Sequence, residues 1–440
     1  MKYYLAIDIG ASSGRHIVGY LEGGELKTKE VYRFANGMDA KDGSLVWDTE
    51  RLFSEIKQGI KIAHESFGEI ESLSIDTWGV DYVLLSGDKE ILPVYAYRDS
   101  RMDAVIDEVH KIIPFETLYE RCGISFEKFN TVYQLYADKV AGRLDEATDF
   151  LMLPEYFMYK LTGVKKKEFA DATTTGLVNA KTREFDTLVW SKLGFPECLI
   201  KPLSMPGEAV GHLKDEIAAE VGCNPLVVLC PTHDTASAVE AIDMEENAPY
   251  ISSGTWSLLG VKTDSVISDE GSRLAGYSNE GGVGYNRYQK NITGLWIVQC
   301  LKKELCPDKD FGAIAAAAAE SDFEEYFDPN DDVFSAPESM KAAIDGYLLE
   351  RGKPQPKTEA DYFNSAYISL AYGYKTAIED LERNTGKGYS YIYIVGGGAK
   401  NTYLNALTEK ITGKRVVALP IEATSIGNLK TQMKRTGEWK

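Results

Sequence analysis

Basic residues are scarce in this 440-residue sequence: 48 Lys and Arg stand against 67 Asp and Glu, a formal charge of −19. A surface of that sign repels phosphate backbones and anionic lipid, which argues against nucleic acid and membrane as partners. No run reaches the ~18 apolar residues of a membrane-spanning helix. Asp8 interrupts the N-terminal apolar stretch, so no signal peptide is expected either. The six cysteines (Cys122, Cys198, Cys223, Cys230, Cys300 and Cys306) include no C-x-x-C pair. A chain this long needs no disulfide staples, and its thiols are expected to be incidental or buried in a reducing cytoplasm. G-x-x-x-x-G-K-[ST] and G-x-G-x-x-G are both missing, which removes a P-loop and a dinucleotide fingerprint. "DPNDDVF" (328–334) opens like a calcium loop, but Val333 and Ser339 stand where an EF-hand needs Gly and Glu.

What remains is a hydrophobic content of 44%, enough for the cores of a two- or three-domain globular protein. "YYLAIDIGASSGRHIVGYLEGGELKTKEVYRF" reads as three strands with two tight turns, the second at Gly23-Gly24. Leu52, Ile56, Ile60 and Ala63 recur at helical spacing within 49–67, and a strand follows at 70–77. Residues 114–201 read as mainly helical, with "FADATTTGLVNAKTREFD" (169–186) as a polar loop. "PYISSGTWSLLGVKTD" echoes "LAIDIGASSGRHIVGY" in order and turn chemistry, a weak internal repeat. Residues 262–286 read as loop, and the alanine-rich "AIAAAAAE" (313–320) as a helix without a functional role. "YSYIYIVGGGAKNTYLNALTEKITG" reads as strand, triple glycine and helix, with Gly413 closing the helix.

Four turns can carry chemistry. "DIGASSGR" (8–15) sets an Asp before a Gly/Ser turn whose N–H groups can form an anion nest, and an ordinary hairpin fits it equally. "SSGTWS" (252–257) is a second such turn. "VGGGAKN" (395–401) lets a ligand approach the backbone closely. In "VVLCPTHDTASAV" (227–239) a buried strand ends in Pro-Thr-His-Asp-Thr and a helix begins. Asp234 there fits a helix N-cap. It also fits a catalytic carboxylate, because ligands of open α/β sheets bind beyond the carboxyl ends of the strands. Phosphoryl transfer from ATP needs donors around the phosphates, carboxylates or water on Mg²⁺, and a base for the attacking hydroxyl. These turns supply that set in combination.

In that chain order the sequence resembles the FGGY family of carbohydrate kinases. The segments concerned are "AIDIGASSGR" (6–15), "DTWGVDYVLL" (76–85), "PTHDTASAV" (231–239), "YISSGTWSLLG" (250–260), "KNITGLWIVQ" (290–299) and "IVGGGAKNTYLN" (394–405). The resemblance implies an α/β fold of two ribonuclease-H-like domains, as in actin and hexokinase, with the active site in the cleft between them. It divides the chain into 1–244, carrying sugar site, first phosphate loop and base, and 245–440, carrying nucleotide. The implied reaction is ATP- and Mg²⁺-dependent phosphorylation of a small-molecule ketose, L-rhamnulose, at its 1-hydroxyl. Fuculose or xylulose as the ketose, or a non-catalytic nucleotide-binding actin-like protein, are the alternatives. The sequence sets no oligomeric state.

By the same resemblance Asp234 is the base and Asp8 a Mg²⁺ partner through water. Ala11, Ser12, Ser13, Gly14, Arg15 and Thr255 hold the phosphates; Gln299, Gly396, Gly397 and Gly398 contact the nucleotide. Gly79, His233, Thr235 and Asn291 bind the ketose, with Arg98, Asp99 and Arg101 as second choice and Trp78 either walling the sugar or in the core. One departure stands out. After "EATSIGN" (422–428) the family continues through a small-apolar helix and further helical sequence. Here "LKTQMKRTGEWK" places Lys430, Lys434 and Arg435 at apolar or small positions. The expectation is a second domain that lacks its usual terminal helix.

Overall fold

The structure is a computed structural model and describes residues 1–244, 247–419 and 422–439. The chain forms two compact units. The first comprises Met1–Asp243, Thr263–Arg287 and Glu422–Lys440; the second comprises Met244–Lys262 and Tyr288–Ile421.

In the first unit β1 (Tyr3–Ile9), β2 (Ser13–Glu22) and β3 (Glu25–Ala35) form an antiparallel meander. Gly23 and Gly24 take the left-handed conformation at its second turn. α1 (Thr49–Phe67) follows, its first turn capped by the Asp48 carboxylate accepting from Arg51 N at 2.9 Å. β4 (Ile70–Thr77) returns parallel to β1, with Asp8 beside Asp76 in register. β5 (Ala209–His212) and β6 (Leu226–Val228) complete the sheet, β6 parallel to β4. Between β4 and β5 runs a largely helical stretch with its own core around Tyr133, Phe150 and Trp190.

Strand alternation divides this sheet into two faces. Leu5, Ile7 and Ile9 of β1 and Leu73 and Ile75 of β4 share a core with Leu52, Ile56, Ile60 and Ala63 of α1. The opposite face carries Tyr4, Ala6 and Asp8 on β1 and Ser72, Ser74 and Asp76 on β4, so it mixes apolar and polar groups.

In the second unit β7 (Tyr250–Ser253) and β8 (Trp256–Thr263) form a hairpin, followed by β9 (Asn286–Thr293). β10 (Tyr391–Val395) runs parallel to β7 and β11 (Arg415–Ala418) parallel to β10. The strand order β9-β8-β7-β10-β11 repeats the order β3-β2-β1-β4-β6 of the first unit. The echo between the two hairpins is therefore a repeat of a whole topology, and both units have the ribonuclease-H-like arrangement.

Three expectations change. The expected boundary falls beside Glu245 and Glu246, which lie outside the described residues, and the chain does not divide there once. Residues 263–287 and 422–440 return to the first unit. Residues 262–286 include a helix (Glu270–Leu274) and a strand (Ser278–Gly281) rather than loop alone. "FADATTTG" begins with a buried helix, α2 (Phe169–Thr174), whose threonine hydroxyls return to its own backbone: Thr173 and Thr174 donate to Ala170 O and Asp171 O at 2.6 and 2.8 Å.

His16 gives this fold a pH signature. It is fully buried; Nε2 donates to Ile56 O at 3.2 Å and Nδ1 has no partner. Burial drives its pKa down to about 3. The fold therefore holds His16 neutral, whereas an unfolded chain protonates it below its ordinary value. Stability from this site is complete above that value and is lost as pH falls toward the folded one. Between about pH 7.5 and pH 5 the loss is ~2 kcal/mol. His16→Met lacks that loss. Its stability relative to the parent, read from urea unfolding, is expected to improve by about that amount over the interval. A pH-independent difference would mean that His16 titrates normally.

Candidate active site

Three aspartates lie at the carboxyl ends of three adjacent parallel strands. Asp8 is on β1, Asp76 is its register partner on β4, and Asp234 follows β6. Thr77 N donates to Thr232 O at 2.9 Å and bridges to His233, which carries the strand pairing up to Asp234. Glu168 fixes this bend from below: its Oε2 accepts from Thr232 N and Oγ1 at 3.1 and 2.9 Å.

Asp234 is the first residue of α3 (Asp234–Glu240). His233 occupies the cap position and makes no side-chain cap bond. The cap role that the sequence left open for Asp234 is therefore not the one it occupies. Its side chain keeps 29% of its surface exposed. Burial raises its pKa, His233 opposes the rise and Asp8 adds to it. Asp8 and Asp76 are raised for the same first reason, and each carboxylate adds to Asp76's rise by repulsion. Asp8 Oδ2 accepts from Arg15 Nη2 and Nε at 2.8 and 2.9 Å, and Arg15 also pairs with Glu422. Asp76 Oδ2 accepts from Asn428 Nδ2 at 2.5 Å, while its buried Oδ1 has no partner.

The Gly10–Ser12 turn between β1 and β2 is held from its carbonyl side. Asn36 N donates to Ser12 O and Asn36 Nδ2 to Gly10 O, both at 2.9 Å. Ala11, Ser12 and Ser13 lie in or beside this turn with partial or full exposure. Gly14 has a packing reason: a Cβ there would meet the Phe34 ring at 2.1 Å.

Gly79 packs closely on α2, where a Cβ would approach Thr174 Cγ2 and Asp171 Oδ1 to 3.1 and 3.2 Å. Next to it Val80 has φ 70°, an unusual conformation for a β-branched residue. It is held from both sides: its N–H donates to Thr174 Oγ1 at 3.2 Å and its carbonyl accepts from Thr131 Oγ1 at 2.7 Å. Trp78 is a core residue. Its ring lies 4.2 Å from that of Trp47, and both indoles donate to Asp81 Oδ2. Asp99 and Arg101 are structural as well. Asp99 accepts from Leu45 N at 2.8 Å, and Arg101 pairs with buried Asp138 at 2.5 Å. Arg98 is exposed beside Tyr97, its Nε 3.2 Å from the phenol oxygen.

Around His233 stand residues that sequence reading missed. Nδ1 lies 3.1 Å from Glu280 Oε2, and Thr235 Oγ1 lies 3.1 Å from Nε2. Fully buried Arg287 donates to Glu280 Oε2, Thr235 Oγ1 and Gly281 O at 2.8, 3.0 and 2.8 Å. Asp171 is also buried, with Oδ2 unpartnered and its pKa raised well above the usual carboxylate range by burial. Glu280 lies in a stretch read as loop, and Arg287 follows it on β9. Asp76 was within reach, because "SIDTWG" repeats the strand-end Asp of "AIDIG".

The second unit contains a cavity of about 760 Å³. Gly254, Thr255, Gln299, Gly397, Lys400 and Asn401 supply its polar side. Val298, Phe311, Ala315, Ala316 and Ala319 supply an apolar one, so α4 (Phe311–Ala319) lines the cavity, contrary to the sequence reading. Alanines keep that wall low. Thr255 Oγ1 donates to Gln299 Oε1 at 3.3 Å. Gly396 and Gly398 press on β7, where their Cβ atoms would meet Ser253 O at 2.8 Å and Ser253 Oγ at 2.0 Å. Gly397 faces open space and is the position where a ligand can reach the backbone. Asn401 caps α6 (Thr402–Thr412), which comes after the long helix α5 (Glu359–Thr385) in the chain, by accepting from Leu404 N at 3.0 Å. Asn291 is exposed on β9.

The terminal segment lies outside the second unit. Residues 423–436 form α7 (Ala423–Thr436), and it belongs to the first unit. It covers the mixed face of the first sheet. Leu429 and Met433 pack on Tyr4, Ala6 and Ile17. Ser425 donates to Asp8, Asn428 to Asp76, and Gln432 Oε1 accepts from Ser72 Oγ at 2.7 Å. The basic residues are paired rather than misplaced: Lys430 with Ala241 O and Asp243, Lys434 with Glu240, and Arg435 with Gly207 O.

Comparison with known proteins agrees with this architecture. The N-terminal domain of the FGGY family of carbohydrate kinases matches residues 3–240 and its C-terminal domain residues 249–435. A protein of Oceanobacillus iheyensis named rhamnulokinase is 42% identical over 98% of this chain and 92% of its own. The rhamnulokinase of Bacillus subtilis is 38% identical over 98% and 90%. Among solved structures, a gluconate kinase from Lactobacillus acidophilus superposes with a TM-score of 0.82 at 15% identity, covering 99% of this chain and 89% of its own. A xylulose kinase from the same organism gives 0.80 at 15%, covering 99% and 90%. With two family domains in sequence and the topology repeated in both units, the chain belongs to the FGGY family of carbohydrate kinases.

Proposed function

We propose that this protein transfers the γ-phosphoryl group of ATP to the 1-hydroxyl of L-rhamnulose, releasing L-rhamnulose 1-phosphate and ADP. The observation that carries the chemistry is Asp234, a partly exposed carboxylate at a helix start whose pKa is raised by its surroundings. The choice of ketose rests on the similarity to proteins named rhamnulokinase.

A sugar hydroxyl attacks well only when its proton has an acceptor. Asp234 takes that proton as the oxygen–phosphorus bond forms, and a raised pKa makes it a better base. Gly79, His233, Thr235 and Asn291 bind the ketose. Ala11, Ser12, Ser13, Gly14, Arg15 and Thr255 hold the β- and γ-phosphates; Gln299 and Gly396 to Gly398 hold the rest of the nucleotide. Hard oxygen donors suit Mg²⁺, and Asp76 Oδ1 is buried without a partner. Among the described residues no group of three or more His, Cys, Asp or Glu forms a protein-only metal cage. That fits an ion that keeps several waters. Asp8, with Asp76 beside it, would hold Mg²⁺ through water, and the bound ion would neutralise charge on the β- and γ-phosphates.

ADP release in a coupled assay with L-rhamnulose, L-fuculose, D-xylulose and glycerol tests the reading. L-rhamnulose is expected to give the highest kcat/KM, because a site built to bond hydroxyls rejects analogues that leave its polar groups unpaired. Preference for another substrate, or turnover with none, would overturn it.

A further inference from the structure

His233 lies between two carboxylates, with Nδ1 3.1 Å from Glu280 Oε2 and Nε2 3.6 Å from Asp234 Oδ1. Glu280 does not stand alone: Arg287 Nη2 donates to the same Oε2 at 2.8 Å. The Arg287 side chain is fully buried and anchored at Gly281 O and Thr235 Oγ1.

These contacts assign the imidazole proton. A carboxylate oxygen paired with arginine only accepts, so a 3.1 Å contact requires a hydrogen on Nδ1. Arg287 Nη2 also lies 3.4 Å from Nδ1, but its shorter contact is to Glu280. When Nδ1 carries the proton, a neutral imidazole keeps its lone pair on Nε2. Thr235 Oγ1, already accepting from Arg287 Nη1, lies 3.2 Å from Nδ1 and 3.1 Å from Nε2, between the two ring nitrogens and off the axis of that lone pair.

We infer that Glu280 and Arg287 are positioning residues. They hold His233 as the Nδ1–H tautomer and present Nε2 beside Asp234 as an acceptor for a hydroxyl of the ketose. The inference rests on the proposal that the ketose binds at His233. Neither Nε2 nor Asp234 Oδ1 then carries a hydrogen, and at 3.6 Å they cannot bond each other. A substrate with hydroxyls on neighbouring carbons complements such a pair, one hydroxyl donating to each.

The chain has five histidines, so long-range ¹H–¹⁵N correlation on ¹⁵N-histidine-labelled full-length protein is tractable, with His233→Gln identifying the signal. In the parent protein His233 is expected to show a protonated Nδ1 and a pyridine-like Nε2. Glu280→Leu, which removes the acceptor and leaves Nδ1 facing the Arg287 Nη2 donor at 3.4 Å, is expected to move the proton to Nε2. It should raise KM for the ketose about tenfold while KM for ATP stays within about twofold. His233→Gln, whose amide reaches the Nε2 position, should keep more ketose affinity than His233→Asn. A protonated Nε2 in the neutral parent, or an unchanged ketose KM in a folded Glu280→Leu, would overturn the inference. The tautomer is read without substrate, so it decides the inference even if Glu280→Leu fails to fold or the ketose proves to be another.

Discussion

Asp234→Asn is expected to stay folded, to bind ATP with Mg²⁺, and to lose ~10²–10⁴-fold in kcat with L-rhamnulose. The substitution keeps the shape of the side chain and removes its basicity. Asp234 stands at the first helical position, where Asn is tolerated, and its neighbours Thr232 and Glu168 hold the bend without it. The cavity of the second unit contains no part of Asp234, so nucleotide affinity should be nearly unaffected. A melting curve, a nucleotide titration and steady-state kinetics on one purified variant decide the matter. Near-native kcat would remove Asp234 from catalysis and leave it as a residue that favours the helix start electrostatically.

The second large effect concerns Gly427 on α7. A Cβ there would stand 1.8 Å from Ser237 O, 2.7 Å from Ser237 C and 3.0 Å from Ala241 N. All three atoms are backbone in or at the end of α3, so no rotamer change relieves the clash. Gly427→Val must push α7 off α3, and about 3 kcal/mol is the expected cost of such overpacking. For a unit of this size the melting temperature should fall by roughly 5 °C. Activity should fall further than stability alone explains, because Ser425 and Asn428 of α7 hold Asp8 and Asp76. Gly346 is the control. It lies within a helix with nothing near its missing Cβ, and Gly346→Ala should gain up to ~1 kcal/mol from helix propensity. A Gly427→Val protein that melts with the parent would mean that the helices do not cross this closely.

Local pattern determined much of this protein. The meander of β1 to β3, the limits of α1 and β4, the triple-glycine turn and the closing Gly413 were all legible, because each depends on periodicity or on a turn within a few residues. Asp8, Asp234 and the Gly-rich turns stood out because the chain changes character abruptly at strand ends. Tertiary structure decided the rest. The place of α7 on the first sheet was not legible because its buried face is partly polar: Ser425, Asn428 and Gln432 look like surface residues until Asp8, Asp76 and Ser72 are placed opposite them. The alanines of α4 gain meaning only as the low wall of a cavity built with Gln299 and Gly397. Glu280 and Arg287 follow His233 by more than forty residues and sit in a stretch without periodicity. A buried ion pair leaves no pattern along the chain, since each partner's desolvation is offset by a group that only folding brings near.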